Sequence, residues 1–287
     1  MDKLLRGRLA LFPLICILSA LVFSGCEGAK KDFRAQESLK LARILYKERA
    51  ASKEEAYISP EIRKNAEKAF LKYQAIVKHA PSSEYVAEAL AYMARIRDEF
   101  GPSKEAIKYW LKLIYDYPDS SYTREADERL KKVIKKWLAA ANNHVYRERY
   151  NEAIFLYKQV LKVNAYNAEA RLALGNAFIK SSRYDEGVRE FQRAVEIDPN
   201  YIEAHYLLGL VYLAKGQNEA ALEKFQAVTE IKSTLAAAYY NIALIYQERL
   251  KDKKKARIAW EEYRKMATSL EKEQKWLPTA EYNLKSF

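Results

Sequence analysis

The sequence predicts an all-α protein, and three observations predict it. Gly and Pro are scarce, 8 and 7 in 287 residues, and Ala, Leu, Lys, Glu and Tyr dominate, which is the composition of helices joined by short turns. At 49% hydrophobic and 31% charged, the chain is apolar enough to bury one or two cores rather than stay disordered. Residues 168–201 (AEARLALGNAFIKSSRYDEGVREFQRAVEIDPNY) and 202–235 (IEAHYLLGLVYLAKGQNEAALEKFQAVTEIKSTL) carry the same punctuation at a 34-residue offset. A repeat of that length is one pair of helices.

The first segment follows different rules. Lys3, Arg6 and Arg8 open it, and Leu9 to Phe23 is an apolar run of 15 residues, the length of a secretory leader and short for a membrane span. Residues 1–25 are therefore read as a signal peptide. Its end, Val22-Phe23-Ser24-Gly25-Cys26, resembles the lipobox of bacterial lipoproteins, which implies an acyl lipid such as palmitate on Cys26 and residues 26–37 as a lipidated N-terminus and linker. The alternative is an uncleaved anchor in which Cys26 is an incidental small residue. The other cysteine, Cys16, lies inside the apolar run, so cleavage leaves Cys26 no partner thiol within the chain. Either way the body lies outside the cytoplasm, and the resemblance to lipoproteins of the enteric type, in which Asp after the cysteine retains the protein in the inner membrane, implies with Glu27 there the periplasmic face of the outer membrane rather than the inner one.

The repeat sets the register of the rest. Leu174-Gly175 recurs as Leu208-Gly209 and Ile242-Ala243, and Phe178 as Tyr212 and Tyr246, each 34 residues on. In the second helix Ala153, Gly187 and Ala221 keep the same spacing, as do Tyr157, Phe191 and Phe225; Ala256 and Trp260 follow one residue late. The delay is read as an insertion within Leu250 to Lys255. With Trp137 and Ala141 extending the pattern backwards, units start near 134, 168, 202 and 236.

These residues resemble the tetratricopeptide repeat over 134–267, with Leu-Gly or Leu-Ala at positions 7 and 8, an aromatic at 11, a small residue at 20, an aromatic at 24 and Pro at 32. The resemblance implies a solenoid of helical hairpins with a right-handed superhelix. It makes Trp137, Gly175, Phe178, Gly187, Phe191, Pro199, Gly209, Tyr212, Ala221, Phe225, Tyr246 and Trp260 structural. Small residues at 8 and 20 let paired helices approach, aromatics fill the space to their neighbours, and Pro199 stops a helix by lacking an amide donor. No unit buries its apolar face alone, so stacking supplies the core.

Residues 38–122 form a looser pair of similar units. Ala106, Trp110 and Pro118 fit positions 20, 24 and 32 of one, and Ala69, Tyr73 and Pro81 those of another, whose first helix near Leu41 to Tyr46 precedes an insert holding Ser59-Pro60. Both end in a phrase, Pro81-Ser82-Ser83-Glu84-Tyr85 and Tyr117-Pro118-Asp119-Ser120-Ser121-Tyr122, that resembles turns of envelope lipoproteins supporting outer-membrane β-barrel assembly. An ordinary helix N-cap accounts for the Ser and Asp equally well. Residues 123–267 form the main array, and 268–287 a capping segment. The spacing leaves 13 extra residues between the halves, which predicts one long helix from Thr123 to about Arg147 that joins two sub-arrays, its Lys131, Lys132, Lys135 and Lys136 read as a solvated face.

Catalysis is not expected. Of three histidines, His205 and His144 occupy repeat packing slots and His79 closes a helix. No metal-ligand cluster, phosphate-cradling Gly-rich loop or nucleophile with a base at motif spacing occurs, so no cofactor and no metal is expected.

Binding is the remaining class. The family resemblance implies a concave wall built from positions 2, 5, 6, 9, 12 and 13, read here as Leu138, Asn142, Leu172, Asn176, Ile179, Lys180, Tyr206, Leu210, Leu213, Tyr240, Asn241 and Leu244. Such a wall is apolar with spaced amides and suits a helix or an extended strand. The alternative occupant is this chain's own Thr279 to Phe287. The carboxylate clamp of chaperone-binding repeats needs Lys at position 5, where Leu138 and Leu172 stand, and a basic residue at position 2, where Glu203 stands. Net charge is +12, of which the segment from residue 26 keeps +10, concentrated at Lys30, Lys31, Arg34 and at Lys251, Lys253, Lys254, Lys255 and Arg257. In an exported chain that charge points away from nucleic acid and toward anionic lipid, cell-wall polymer or acidic protein. The sequence thus reads as a lipid-anchored scaffold for envelope proteins in outer-membrane protein assembly or a pilus or secretion apparatus, with a pilotin-like role next. The second reading is an adaptor for peptidoglycan hydrolases or a binder of anionic polymer or lipid. Truncating Tyr206 and Leu210 together to Ala is expected to remove a partner without unfolding.

Overall fold

A computed structural model describes residues 31, 32, 34–40, 42–44, 60–101, 103–269 and 277–285. The leader, Cys26, Lys30 and Ser59 lie outside these. The described residues are helical throughout, joined by short turns, with no strand among them. Contacts divide the chain into two compact units, 1–133 and 134–287.

The first unit begins with α1, the helical residues among 31–44. It continues through α2 (Pro60–His79), α3 (Val86–Phe100), α4 (Ser103–Asp116) and the start of α5 (Thr123–Tyr146). Ala69 and Ala106 are wholly buried and Trp110 and Tyr73 nearly so, as their repeat slots require. The Trp110 indole donates to Asp98 at 3.0 Å, and burial pushes the Asp98 carboxyl above its usual range despite that bond. Arg97 lies 3.6 Å over the Phe70 ring and forks onto Glu67 at 2.8 and 3.2 Å, closing α2 against α3. Ser83 and Ser120 accept from the amides of Tyr85 and Tyr122, two residues on, so they close turns ahead of the helices rather than capping them. The boundary between the units falls inside α5, after Val133, and not at Thr123 where the domain reading places it. The helix runs without a break through that point because nothing between Thr123 and Tyr146 interrupts it: no Gly, no Pro.

In the second unit the hairpins are the end of α5 with α6 (Tyr150–Val163), α7 (Ala168–Lys180) with α8 (Tyr184–Ile197), and α9 (Ile202–Ala214) with α10 (Asn218–Ile231). A fourth pairs α11 (Ala236–Leu244) and the π-helical turn Ile245–Arg249 with α12 (Lys253–Ser269), and α13 (Leu277–Lys285) packs on α12. The helices pair through their small residues. A Cβ on Gly175 would stand 2.5 Å from the Phe191 ring and 3.1 Å from the Gly187 carbonyl oxygen; one on Gly187 would meet the Gly175 carbonyl at 3.1 Å. Ala141, Ala153, Ala221, Ala243 and Ala256 fill the same slots and are wholly buried. Tyr157, Phe191, Phe225 and Trp260 at position 24 form the spine beside them.

Each hairpin turns on one left-handed residue: Glu148 (φ 58°), Ser182 (φ 62°), Gly216 (φ 73°) and Lys251 (φ 56°). The next amide reaches back to the helix, Arg149 to His144 at 2.8 Å, Arg183 to Phe178 at 2.9 Å and Gln217 to Tyr212 at 2.9 Å, the bond of a Schellman turn. In the last hairpin the corresponding bond, Asp252 to Tyr246 at 2.9 Å, spans one residue more. The extra residue is therefore taken up by the π-turn Ile245–Arg249, and the placement of the insertion in Leu250 to Lys255 is corrected: a π-turn holds one more residue without lengthening the helix, so the loop geometry is kept.

In two units position 4 ties the first helix to the turn before it. Arg171 donates to the Ala165 carbonyl at 3.1 Å, and in the next unit His205 Nε2 lies 2.9 Å from the Pro199 carbonyl, a contact that requires the proton on Nε2. Position 11 is filled less completely than the repeat implies: Phe178 is buried, but Tyr212 and Tyr246 are half-exposed and keep their hydroxyls at the surface, where Gln192 and Gln226 of the preceding unit donate to them at 2.9 and 3.5 Å.

Gly209 tests the pairing contact. A Cβ there would lie 2.8 Å from the Phe225 ring, so Gly209→Leu is expected to lower unfolding free energy by about 1–3 kcal/mol or more through overpacking, measured by urea denaturation.

Candidate binding groove

One face runs along α7, α9 and α11, the first helices of the units starting at 168, 202 and 236, with Leu172 and Asn176 at positions 5 and 9 of the first and Tyr206 at position 5 of the second. An open cavity of about 440 Å³ lies there, and its lining is mostly apolar. Leu172 and Asn176 bound it from α7, Tyr206 and Leu207 from α9, and Leu235 and Lys232 from the turn before α11. Leu210, 37% exposed, stands one turn beyond Tyr206 on α9, the exposed leucine of this face.

Of the twelve groove residues read from the sequence, Leu172, Asn176 and Tyr206 meet at this cavity. Asn142 and Lys180 are exposed but do not line it, and Asn142 accepts the Tyr157 hydroxyl at 2.5 Å. Others face inward in part. Leu138 packs on the core of the first hairpin in this unit, and Ile179 on that of the next, where its Cδ1 occupies the space a Gly187 side chain would need. Leu213, Tyr240 and Leu244 pack on the core around Trp260, Tyr240 edge-on to Trp260 at 5.4 Å.

Asn241 is corrected outright. It is 9% exposed, and its amide donates to the Ala237 carbonyl at 2.8 Å and to the Tyr206 hydroxyl at 3.2 Å, so it holds the wall and does not present itself to a ligand. Tyr206 is correspondingly two things at once. One side of it borders the cavity, while its ring packs edge-on against Phe225 at 5.5 Å. Truncating Tyr206 therefore removes core contacts as well as wall, so the Tyr206/Leu210 double truncation is expected to lower stability as well as alter the cavity.

Glu203, Leu207 and Ala237 also line the cavity at positions 2, 6 and 2, within the register the repeat rule addresses, although the reading of the sequence did not single them out as wall. Lys232, Leu235 and Ile202 were missed for a different reason. Lys232 and Leu235 come from an inter-repeat turn and Ile202 from position 1, and a rule written for helix faces does not reach them. The apolar character of Leu235 directly after the polar run Lys232-Ser233-Thr234 was the available signal.

The C-terminal helix does not lie in this cavity. Ala280 of α13 is buried in the core around Trp260, and Gln247 donates to Asn283 at 2.9 Å, which seats α13 on the last hairpin. Gln247 in turn accepts the Trp260 indole at 2.6 Å. Thr279 to Lys285 thus caps the end of the array; 286 and 287 lie outside the described residues.

Comparison with known proteins agrees with this architecture. A family model described as TPR repeat matches residues 175–216 and 211–249, and one described as tetratricopeptide repeat matches 88–120 and 237–275. The chain carries tetratricopeptide repeats in both units, and its fold is an all-α solenoid of that type. Among solved structures it is similar to the MamA protein, at 22% identity over 67% of this chain and 96% of that one with a TM-score of 0.42. It is also similar to YrrB, described as a TPR protein with an unusual peptide-binding site, at 22% identity over 68% of this chain and 91% of that one with a TM-score of 0.41. A third is the first TPR of Spaghetti (RPAP3) bound to an HSP90 peptide, at 19% identity over 40% of this chain and 92% of that one with a TM-score of 0.39. No curated protein matches the sequence. Repeats of this kind mediate protein–protein interactions.

The two amides of the groove separate structural from ligand-facing roles. Asn241→Ala is expected to cost about 1–3 kcal/mol of stability, because the Tyr206 hydroxyl loses its donor inside the wall. Asn176→Ala, at the open cavity, is expected to change stability by less than about 0.5 kcal/mol in the same denaturation series.

Proposed function

We propose that the chain is a lipid-anchored, non-catalytic scaffold that recruits envelope proteins through the cavity shared by α7, α9 and α11. The observation that carries this reading is the open apolar wall at Leu172, Leu207 and Leu235 with Asn176 and Tyr206 beside it, on a face that the chain's own C-terminal helix leaves uncovered. An apolar pocket of this size takes one or two large side chains of a helix or strand, and the amide beside it fixes backbone direction. The anchor is the acyl group on Cys26, supported by the charge, length and terminal residues of the leader, and it places the array at the periplasmic face of the outer membrane. No described helix is long and apolar enough to cross a membrane. Assembly of outer-membrane β-barrels, a pilus or a secretion apparatus is the leading context. An adaptor for peptidoglycan hydrolases is the second reading, favoured by the basic turn around Lys251 to Lys255, which suits an acidic partner or polymer.

Two measurements check this. Leu235→Asp puts a carboxylate at the cavity and at the N-cap of α11, where Asp is favourable, so the variant is expected to fold and to lose its partner in affinity purification of the full-length protein from detergent-solubilised envelopes. An unchanged partner set in the folded variant would count against the cavity, and recovery of wall hydrolases in place of assembly components would move the adaptor reading to first. Metabolic labelling with an alkyne fatty acid is expected to mark the wild-type chain and not Cys26→Ala; equal labelling of the two sinks the anchor.

A further inference from the structure

A second cavity, of about 390 Å³, lies in the first unit between α1 and α2. Its lining divides by chemistry. Lys31, Arg34 and Ser38 contribute from α1 at the spacing of one helix face, and His79 faces them from the last turn of α2, so every polar group on the wall can donate a hydrogen bond. Among the described residues no carboxylate lines it; Glu37 of α1 is engaged with Lys40 at 3.1 Å. The floor is different. Ala35, Ile76 and Ala80 are buried there and bring only hydrocarbon.

A cationic rim over an apolar floor selects an amphiphile. A guanidinium and an ammonium within one turn of each other suit the oxygens of a phosphate, with Arg able to fork onto two of them. A free inorganic phosphate has no use for the hydrocarbon floor, and a neutral lipid has none for the rim. The position in the chain agrees, since Lys31 lies five residues after Cys26, where an acyl anchor would hold it beside the headgroups.

We propose that this cavity binds the phosphate of an anionic phospholipid, with Lys31 and Arg34 on the phosphate oxygens, Ser38 and His79 completing the donor set, and the glycerol and first methylenes against Ala35 and Ile76. The site would fix how α1 and α2 meet the membrane surface, a task an acyl chain alone leaves loose. Only the source of the ligand rests on the anchoring reading; the recognition of phosphate on an apolar stem does not.

The test is calorimetric titration of the full-length protein, purified in nonionic detergent, with dihexanoyl phosphatidylglycerol, dihexanoyl phosphatidylcholine and inorganic phosphate. Phosphatidylglycerol is expected to bind at least tenfold more tightly than either of the others. Lys31→Gln with Arg34→Gln is expected to weaken it at least tenfold with an unchanged thermal melt, as these side chains are exposed, and Arg34→Lys to retain most of it. Equal binding by the double variant, or equal binding of phosphatidylcholine, overturns the proposal. Inorganic phosphate binding as tightly as the lipid also overturns it, as that describes a free-anion site. The same titration of Cys26→Ala is expected to match the wild type, so a chain that proves to carry no lipid leaves this result readable on its own.

Discussion

The contact on which the second unit depends is the close approach of paired helices at positions 8 and 20. At Gly175 and Gly187 the backbones come so near that a side-chain carbon on either residue would stand 3.1 Å from the other's carbonyl oxygen. That proximity leaves the large residues nowhere to go between the two helices of a hairpin. Phe191 and Phe225 lie instead over the glycines and against the next hairpin, which is how the small residues of one unit make room for the spine that binds it to its neighbour.

The remaining features follow from holding that approach constant along the array. Every hairpin of this unit reverses on one left-handed residue, and three of the four share the same return bond, even though three of the four residues are not glycine and each of those costs about 1–3 kcal/mol in an unfavoured conformation. The strain is tolerated where the paired helices already fix the ends of the turn. The π-turn at Ile245–Arg249 has the same origin: an extra residue in the chain is accommodated inside a helix because the small-residue contact on one side and the turn on the other do not move. The cavity is what this packing leaves over. Leu172, Tyr206 and the Leu235 turn surround the space.

Binding wall and core are consequently not separate sets of residues. Tyr206 borders the cavity, leans on Phe225 and is held by Asn241 from the next unit. Tyr206 therefore joins two repeats as well as bounding the open space. The Arg171 and His205 contacts to the preceding turns act in the same direction, each tying a first helix to the unit before it.

The sequence by itself determined the helix pairs and their register in the second unit, since a side chain that must sit against a neighbouring backbone can only be Gly or Ala, and a gap between helices can only be filled by a large ring. Those requirements recur every 34 residues and are legible as Leu174-Gly175, Leu208-Gly209 and the aromatics at 157, 191 and 225. The long α5 was legible too, from arithmetic on the spacing. What only the tertiary structure decided is which polar and half-buried residues face outward. Asn241 and Asn176 differ in role because one meets a tyrosine hydroxyl from the unit before it and the other meets open space. The inter-repeat turn entered the wall because Lys232 and Leu235 border the same cavity as Leu172 and Tyr206, and the extra residue became a π-turn because the packing on both sides was already set. Each of these is settled by distances between units, which a period along the chain does not contain.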